Sequence, residues 1–566
     1  MKNIFEQLTD LLKKDERLVS QDGVLLKNQT QELAHKNDSS LIKLLLSDKA
    51  IKQHFFFEVE ETLIFDKEKF VRFVSNRQFL PESYTAFKNK IGLTTGDEYV
   101  SENKEVVLVW PYKDCVLEGG MTKEDQKRDE IFYNETLAPD DINRLLDAKV
   151  FTNFKRIDKN GEHKLDGFNR DEKGTIKDNL IIKGNNLLAL ASLKKEFAGK
   201  VKLIYIDPPY NTGVDSFAYN DHFNHSSWLT FMKNRLELAQ QLLKPDGLII
   251  IQIDEDEGHY LKVLCDTIFD RENFRNEIIW SYRTGGASKT TTLPKKHDVL
   301  LCYAKSDSFL FTPKYERQYL EKSFMGSKQD ETGRYYVDTL MRDVIEGVII
   351  SPQKDGTLTE YNVRPVLNLS SERVEKFQSQ KPEGLIRLLI DITANNEDDI
   401  VLDFHVGSGT TAATAHKMGR QYIGVEQLDY GKNDSVVRLK NVIKGNQAGI
   451  SKTINWQGGG DFVYMELAKW NEEWIQKIEK AKVGKKLAKL WDEMKETAFL
   501  SYKVDPKTID ANVKDFADLS IANQKKFLIE CLDKNQLYVN LSEIEDKEYG
   551  VSKGDKALNK NFYNGK

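Results

Sequence analysis

Apolar residues fall at helical intervals near the start of the chain. Ile4, Leu8, Leu11 and Leu12 share one face, and Leu41, Leu44, Leu45 and Leu46 recur further on, so residues 1–150 are expected to form a mainly helical domain. From about residue 175 the pattern changes to short apolar runs alternating with helical segments. Val201–Ile206 has the length and β-branched content of a buried strand. A helix follows over 227–243, with Met232, Leu236, Ala239 and Leu243 on one stripe, until Lys244-Pro245-Asp246-Gly247 ends it. Leu248–Ile253 and Val299–Ala304 read as further buried strands. After a less regular stretch over 306–376, the order strand, glycine turn, helix returns in Asp399–Met418, and Gln421–Glu426 is another strand. This alternation predicts an α/β, doubly wound sheet built from two halves, 175–305 and 377–465. The remainder, 466–566, reads as mainly helical, with Leu467, Trp470, Trp474, Ile475 and Ile478 forming an apolar face suited to packing or subunit contact.

Composition narrows the class without changing this outline. At 566 residues the chain holds several domains, and its net charge of -6 with 30% charged residues means that any nucleic-acid surface must be local. The four cysteines, Cys115, Cys265, Cys302 and Cys531, lie far apart with no Cys-x-x-Cys pair, against a disulfide framework or zinc ribbon. With no apolar leader and no membrane-length stretch, a prokaryotic cytoplasmic setting is expected. The acidic run Asp254-Glu255-Asp256-Glu257 reads as a helix start, and no metal site is expected.

The chemistry concentrates where strands end. Asp207-Pro208-Pro209-Tyr210 directly follows the Val201–Ile206 run. Two prolines cannot continue a strand, so the chain turns there, at the end where ligands collect in α/β sheets. The prolines fix the backbone and leave carbonyls that accept hydrogen bonds from an amino group. About two hundred residues later comes Asp403-Phe404-His405-Val406-Gly407-Ser408-Gly409-Thr410-Thr411, and Glu426 ends the next strand. Glycines in that turn allow close approach to a ligand, and the terminal acid suits ribose hydroxyls. No Gly-x-x-x-x-Gly-Lys-Ser/Thr is present, which favours an adenosine without phosphates over ATP.

Together these motifs resemble the amino-group DNA methyltransferases that use S-adenosylmethionine. Because the Asp-Pro-Pro-Tyr element precedes the glycine turn, the order resembles the permuted class. The finer resemblance is to the modification (Mod) subunit of type III restriction-modification systems, carried also by Asn211-Thr212-Gly213, Lys381-Pro382-Glu383-Gly384-Leu385-Ile386, Trp110–Gly120 and Asn455–Tyr464. That resemblance implies a Rossmann-like methyltransferase fold, with 175–305 as the catalytic half, 306–376 as a target-recognition insert and 377–465 as the cofactor half. It implies Asp207, Pro208, Pro209 and Tyr210 as catalytic residues, and Lys381, Asp403, His405, Gly407, Ser408, Gly409, Thr410 and Glu426 as cofactor contacts. The implied partners are double-stranded DNA, a second Mod copy and a separate restriction (Res) subunit bearing helicase and nuclease. His405 and Asn185 stand where many relatives carry phenylalanine and aspartate; the imidazole is expected to pack on the cofactor and the amide to hydrogen-bond a base.

The expected reaction is methyl transfer to adenine N6. The base would flip out of the duplex and stack on Tyr210, with Phe223 or Trp228 as a second wall, while Asp207 and the Pro208 carbonyl accept the two amino hydrogens. Arg283–Thr292 with Lys295, Lys296 and His297 forms a basic loop able to hold phosphates. C5 methylation is excluded, since no cysteine follows proline, and zinc deamination lacks its ligand motif. Cytosine-N4 methylation and a non-catalytic DNA-recognition subunit are the alternatives, the aspartate at 207 favouring adenine.

Overall fold

The computed structural model describes residues 4–19, 25–59, 62–75, 92–94, 107–109, 145–213, 221, 223–282, 295–369, 372–374, 379–501, 504–511 and 513–564. The chain divides into two compact units, residues 1–87 with 132–143, and residues 88–131 with 144–566. In the first, helices Ile4–Leu12, Lys27–His35, Ser39–Leu46, Lys49–Phe55 and Lys67–Ser75 accompany a hairpin of Phe56–Val59 and Thr62–Phe65. Leu8, Leu12, Leu41, Leu45, Phe55, Phe70 and Phe73 form its core. Asp38 and Asp48 cap two of these helices, each accepting two backbone N–H groups that the helix start leaves unpaired. Residues from 144 onward belong to the second unit.

That second unit is built on an eleven-stranded sheet. In chain order its strands are β1 Phe151–Asp158, β2 Gly161–Lys164, β3 Leu180–Lys183, β4 Val201–Ile206, β5 Leu243–Ile253, β6 Phe274–Ser281, β7 His297–Ala304, β8 Val344–Glu346, β9 Ile400–Asp403, β10 Gln421–Glu426 and β11 Phe462–Leu467. They lie in the spatial order β8-β6-β7-β5-β4-β9-β10-β3-β11-β1-β2. The block from β5 to β11 is parallel throughout. β7 joins antiparallel to β5 and pairs with β6, while β1 joins antiparallel to β11 and pairs with β2. All six residues of β4 are buried, as expected of a strand covered on both faces.

Helices α1 Asn186–Phe197, α2 His225–Leu242 and α3 Glu255–Phe269 cover one face, through Leu187, Leu190, Trp228, Phe231, Leu236, Leu261 and Leu264. Helices α4 Glu383–Thr393, α5 Thr410–Lys417 and α6 Ser435–Ile443 cover the other, through Leu385, Leu389, Ala412, Ala415, Leu439 and Ile443. β4 leads through α2 to β5 on one side, whereas β9 leads through α5 to β10 on the other. β4 and β9 are neighbours, so the topological switch, where a crevice opens at the carboxyl ends of strands, lies between them.

The 306–376 stretch is more ordered than expected. Tyr315–Leu320, Lys328–Gln329 and Tyr335–Leu340 form a three-stranded antiparallel sheet, Val348–Pro352 and Leu358–Asn362 form a hairpin, and β8 adds to the edge of the main sheet. Of its basic residues, Arg317 pairs with Asp338, Arg334 with Asp330 and Arg342 with Glu316. The apolar face expected in the tail is closed internally: Leu467 ends β11, and Trp474 and Ile478 pack with Leu487, Trp491, Met494 and Leu528. Trp470 packs edge-on against Tyr549. The terminal helix Lys553–Asn564 sends Phe562 and Tyr563 back onto Phe151 of β1. Among the described residues no helix is long and apolar enough to cross a membrane.

Candidate active site

β4 stops at Ile206 because Pro208 and Pro209 have no N–H to extend the ladder. The turn is then locked from behind. Trp228, fully buried on α2, donates its indole N–H to the Pro209 carbonyl at 2.8 Å. Asn211 has a left-handed backbone (φ +62°), which asparagine tolerates. Asp221 accepts the N–H groups of Asn211 (2.8 Å) and Thr212 (3.0 Å), and the Asn211 amide reaches Glu257 at 2.6 Å. Trp228 therefore fixes the turn, and Phe223 packs against Phe231 at 5.5 Å. Neither expected second wall lies on the cavity described below.

The turn presents Asp207 and Tyr210 beside the end of β9. The Tyr210 hydroxyl donates to Asp298 Oδ2 at 3.1 Å, and the same carboxylate accepts from Gln252 (2.8 Å) and from Tyr282 (2.9 Å). Gln252 in turn accepts from Tyr205 at 2.6 Å. Asp207 faces Lys381, whose ammonium donates to both carboxylate oxygens at 2.8 and 2.7 Å. Burial pushes the Asp207 carboxyl above its ordinary pKa, and the Lys381 charge opposes that rise.

From β9, Asp403 Oδ1 accepts the His405 N–H at 2.9 Å, and burial raises the Asp403 carboxyl to about 7. Gly407 (φ +49°) and Gly409 (φ +81°) make the turn into α5. Behind Gly409 there is no space: a Cβ there would lie 2.9 Å from that of Ser435. Glu426 at the end of β10 accepts the N–H of Gly407 with one oxygen and that of Leu428 with the other, each at 2.8 Å. His405 is held neutral, its pKa lowered to about 3 by burial and by the nearby Arg235 charge. Asn185 caps α1, accepting from Leu187 and Leu188, so it is not aimed at a base.

These elements enclose one cavity of about 520 Å³. Asp207, Pro208, Pro209, Tyr210, Lys381, Asp403, His405, Gly407, Ser408, Thr410 and Glu426 all line it. Gly409 shapes the turn from outside. The sequence reading missed Asn186, Tyr205, Trp280, Tyr282 and Asp298 on its walls. Asp298 carried a weak signal, as an acid at the mouth of an apolar strand. The Arg283–Thr292 loop and the Trp110–Gly120 segment lie outside the described residues, and Lys295 beyond the loop pairs with Glu255 and Asp256. Asp254 caps α3.

A family model described as DNA methylase matches residues 201–435, and one described as the type III restriction/modification enzyme methylation subunit matches 38–93. A Haemophilus influenzae protein, the probable type III restriction-modification enzyme HindVI Mod subunit, is 34% identical over 99% of this chain and 98% of its own length. This chain belongs to the type III Mod family. It is a DNA methyltransferase subunit of a restriction-modification system. The EcoP15I Mod subunit of Escherichia coli is 33% identical over 48% of this chain and 62% of its own length. The EcoPI Mod subunit of Escherichia phage P1 is 33% identical over 31% and 32% respectively. In this Mod chain the methylase match opens on the first residue of β4 and closes on the first of α6, so it contains both walls of the crevice.

Proposed function

We propose that this Mod subunit methylates N6 of adenine in double-stranded DNA, with S-adenosylmethionine as donor. The observation that carries the reading is the meeting, in one cavity, of the Asp207–Tyr210 turn with the Gly407–Gly409 turn and Glu426. The donor set fits an adenosine bearing a sulfonium and an amino acid: two carboxylates, Asp403 and Glu426, at adjacent strand ends, an apolar stretch at Phe404 and Val406, and a volume within the usual range for such ligands. Asp403, His405, Gly407, Ser408, Gly409, Thr410 and Glu426 would hold it. When bound, it supplies an electrophilic methyl group.

The chain's own residues do the rest. Tyr210 offers a ring face for a base flipped from the duplex. Asp207 accepts one amino hydrogen, and since the Pro209 carbonyl is engaged by Trp228, the Pro208 carbonyl accepts the other. Two acceptors on either side draw the nitrogen toward tetrahedral geometry and aim its lone pair, so catalysis is mainly orientation. Burial raises the proton affinity of Asp207, which suits it to take the proton that the amino group sheds. The 306–376 insert reads base edges, and the Mod chain acts in the prokaryotic cytoplasm as a dimer with a Res subunit.

Long-read sequencing of DNA from a methylation-free host expressing this chain tests the reading, beside an Asp207→Ala control. One motif carrying N6-methyladenine, lost in the control, is expected. Methylation on cytosine N4 would replace adenine as the target, and no modification by a folded protein that binds DNA would make the chain a recognition subunit.

A further inference from the structure

Lys381 stands where the base is expected. Its ammonium touches both oxygens of Asp207 and lies 5.2 Å from the centre of the Tyr210 ring, within the distance at which a cation is attracted to an aromatic face. Its third contact is the Ser379 carbonyl at 3.2 Å. A flipped adenine needs the same two groups, the carboxylate as acceptor for its amino hydrogens and the ring as its stacking surface. The lysine ammonium and the base amino group therefore compete for one position.

Resting on the reading above, we propose that Lys381 is a displaceable counter-ion that occupies the amino-group site of the empty enzyme and yields it only to a base that can donate to Asp207. The backbone is built for a side chain that swings from a fixed root. The Lys381 carbonyl accepts from Thr410 at 3.2 Å, and Thr410 accepts from Arg438 at 2.9 Å. Two residues on, Glu383 is anchored to Lys417 at 2.7 Å and Arg438 at 2.8 Å. The four-carbon stem is flexible while its root is held.

Two consequences follow. Among the described residues, Tyr205 on β4, Tyr210 in the turn, Asp298 on β7 and Asp403 on β9 face Asp207 and Arg373 lies elsewhere on the cavity wall, while Lys381 is the cation in contact with the carboxylate, and its charge opposes the burial that disfavours the ionised form until a base arrives. A base presenting a carbonyl oxygen instead of an amino group would bring a second acceptor to Asp207 and could not replace the ammonium. Selection for an amino-bearing base thus begins before methyl transfer.

The test is the pH dependence of single-turnover methylation, on a duplex carrying the target of the wild-type enzyme, for Lys381→Met, Lys381→Gln and Lys381→Arg, with S-adenosylmethionine affinity measured alongside by calorimetry. With the counter-ion removed, the Met and Gln variants should lose activity near neutral pH and regain it about tenfold per pH unit on the alkaline side. Their profile should move up by about one unit or more, while cofactor affinity stays within about twofold of wild type. Lys381→Arg, which keeps the charge, should keep the wild-type profile, and the Gln variant serves if the Met variant does not fold. An unshifted profile with weakened cofactor binding would make Lys381 a cofactor contact and overturn the proposal. A uniform loss of rate at every pH would do the same in favour of a structural role. Failure of the wild-type enzyme to modify adenine would refute the underlying reaction instead, and is seen separately.

Discussion

Replacing Glu383 by glutamine should destabilise the second unit more than any ordinary surface change. The Glu383 side chain is 1% exposed, and its carboxylate takes Lys417 at 2.7 Å, Arg438 at 2.8 Å and the Ile450 N–H at 3.0 Å. Gly449 presses so closely that a Cβ there would lie 2.1 Å from Glu383 Oε2. Glutamine fills the same volume but sets an NH₂ donor against a cation and leaves Lys417, itself 1% exposed, without a countercharge on this side. Breaking a buried pair in this way costs about 3–5 kcal/mol. Glu372 offsets part of that cost. Burial and the Glu383 charge push its pKa up to about 7, and it lies 3.7 Å from Arg438, so once Glu383 is neutral it can ionise and serve the arginine. The net loss should therefore sit near ~3 kcal/mol. At about 2–3 °C per kcal/mol, the main calorimetric transition should fall by about 6–9 °C. Urea unfolding followed by tryptophan fluorescence gives the same quantity independently. Adding Lys417→Met to Glu383→Gln removes the stranded charge and should recover part of the loss. A single variant within ~1 kcal/mol of wild type, or a double variant worse than the single one, would show that Lys417 is not held as a buried cation and would refute the reasoning.

Trp228→Phe removes the hydrogen bond that holds Pro209 and leaves a gap. Stability should fall by about 2–4 kcal/mol, and kcat should fall about tenfold or more while the KM for cofactor is unchanged; a rate equal to wild type in the folded variant would remove the indole from the positioning of the turn. Asp403 tests the cost of burying an acid. Its folded pKa of about 7 lies above that of an unfolded aspartate, so its contribution is fully present below about pH 4 and is lost as pH rises through about 7. Asp403→Asn should come closest to wild type in urea stability near pH 4 and exceed it by a margin that widens up to about pH 7, and a gap that closes with rising pH would contradict the assignment.

What could be read from sequence was whatever repeats locally. Val201–Ile206, the glycine turn and the acid at 426 declare themselves within a few residues, because an apolar run, a chain break and a terminal carboxylate are local signals. The edge strands were not legible. Phe151–Asp158 mixes Asn153, Lys155 and Arg156 among its apolar positions, and its burial depends on Phe562 and Tyr563, some four hundred residues away. Trp228 looked like a stacking wall because the sequence gives its proximity to the turn but not the direction of its N–H. Asn185 looked like a base reader, yet a helix starts immediately after it and claims its oxygen. Of the Trp474 stripe only Trp474, Ile475 and Ile478 lie on the helix Asn471–Lys480, since Leu467 ends a strand and Trp470 precedes the helix, and the helices that cover it come from 484–530, a pairing that no local pattern records. Lys381 lines the same cavity as the two turns, and its alignment with Asp207 is a contact between two halves of the chain that no local pattern records.

The adjacency of β4 and β9 also sets when the enzyme can exist. The Asp207 turn emerges from the ribosome long before its neighbour in the sheet, and until Ile400–Glu426 has been made there is no second wall for a ligand. A chain that stops short of Glu426 is thus chemically silent, and modification begins only once both walls have been made. Pairing over such a separation is slow in folding terms. It also makes the connecting insert a natural place to cut: two polypeptides divided within 306–376 would each carry one wall, and activity would return only where both are present.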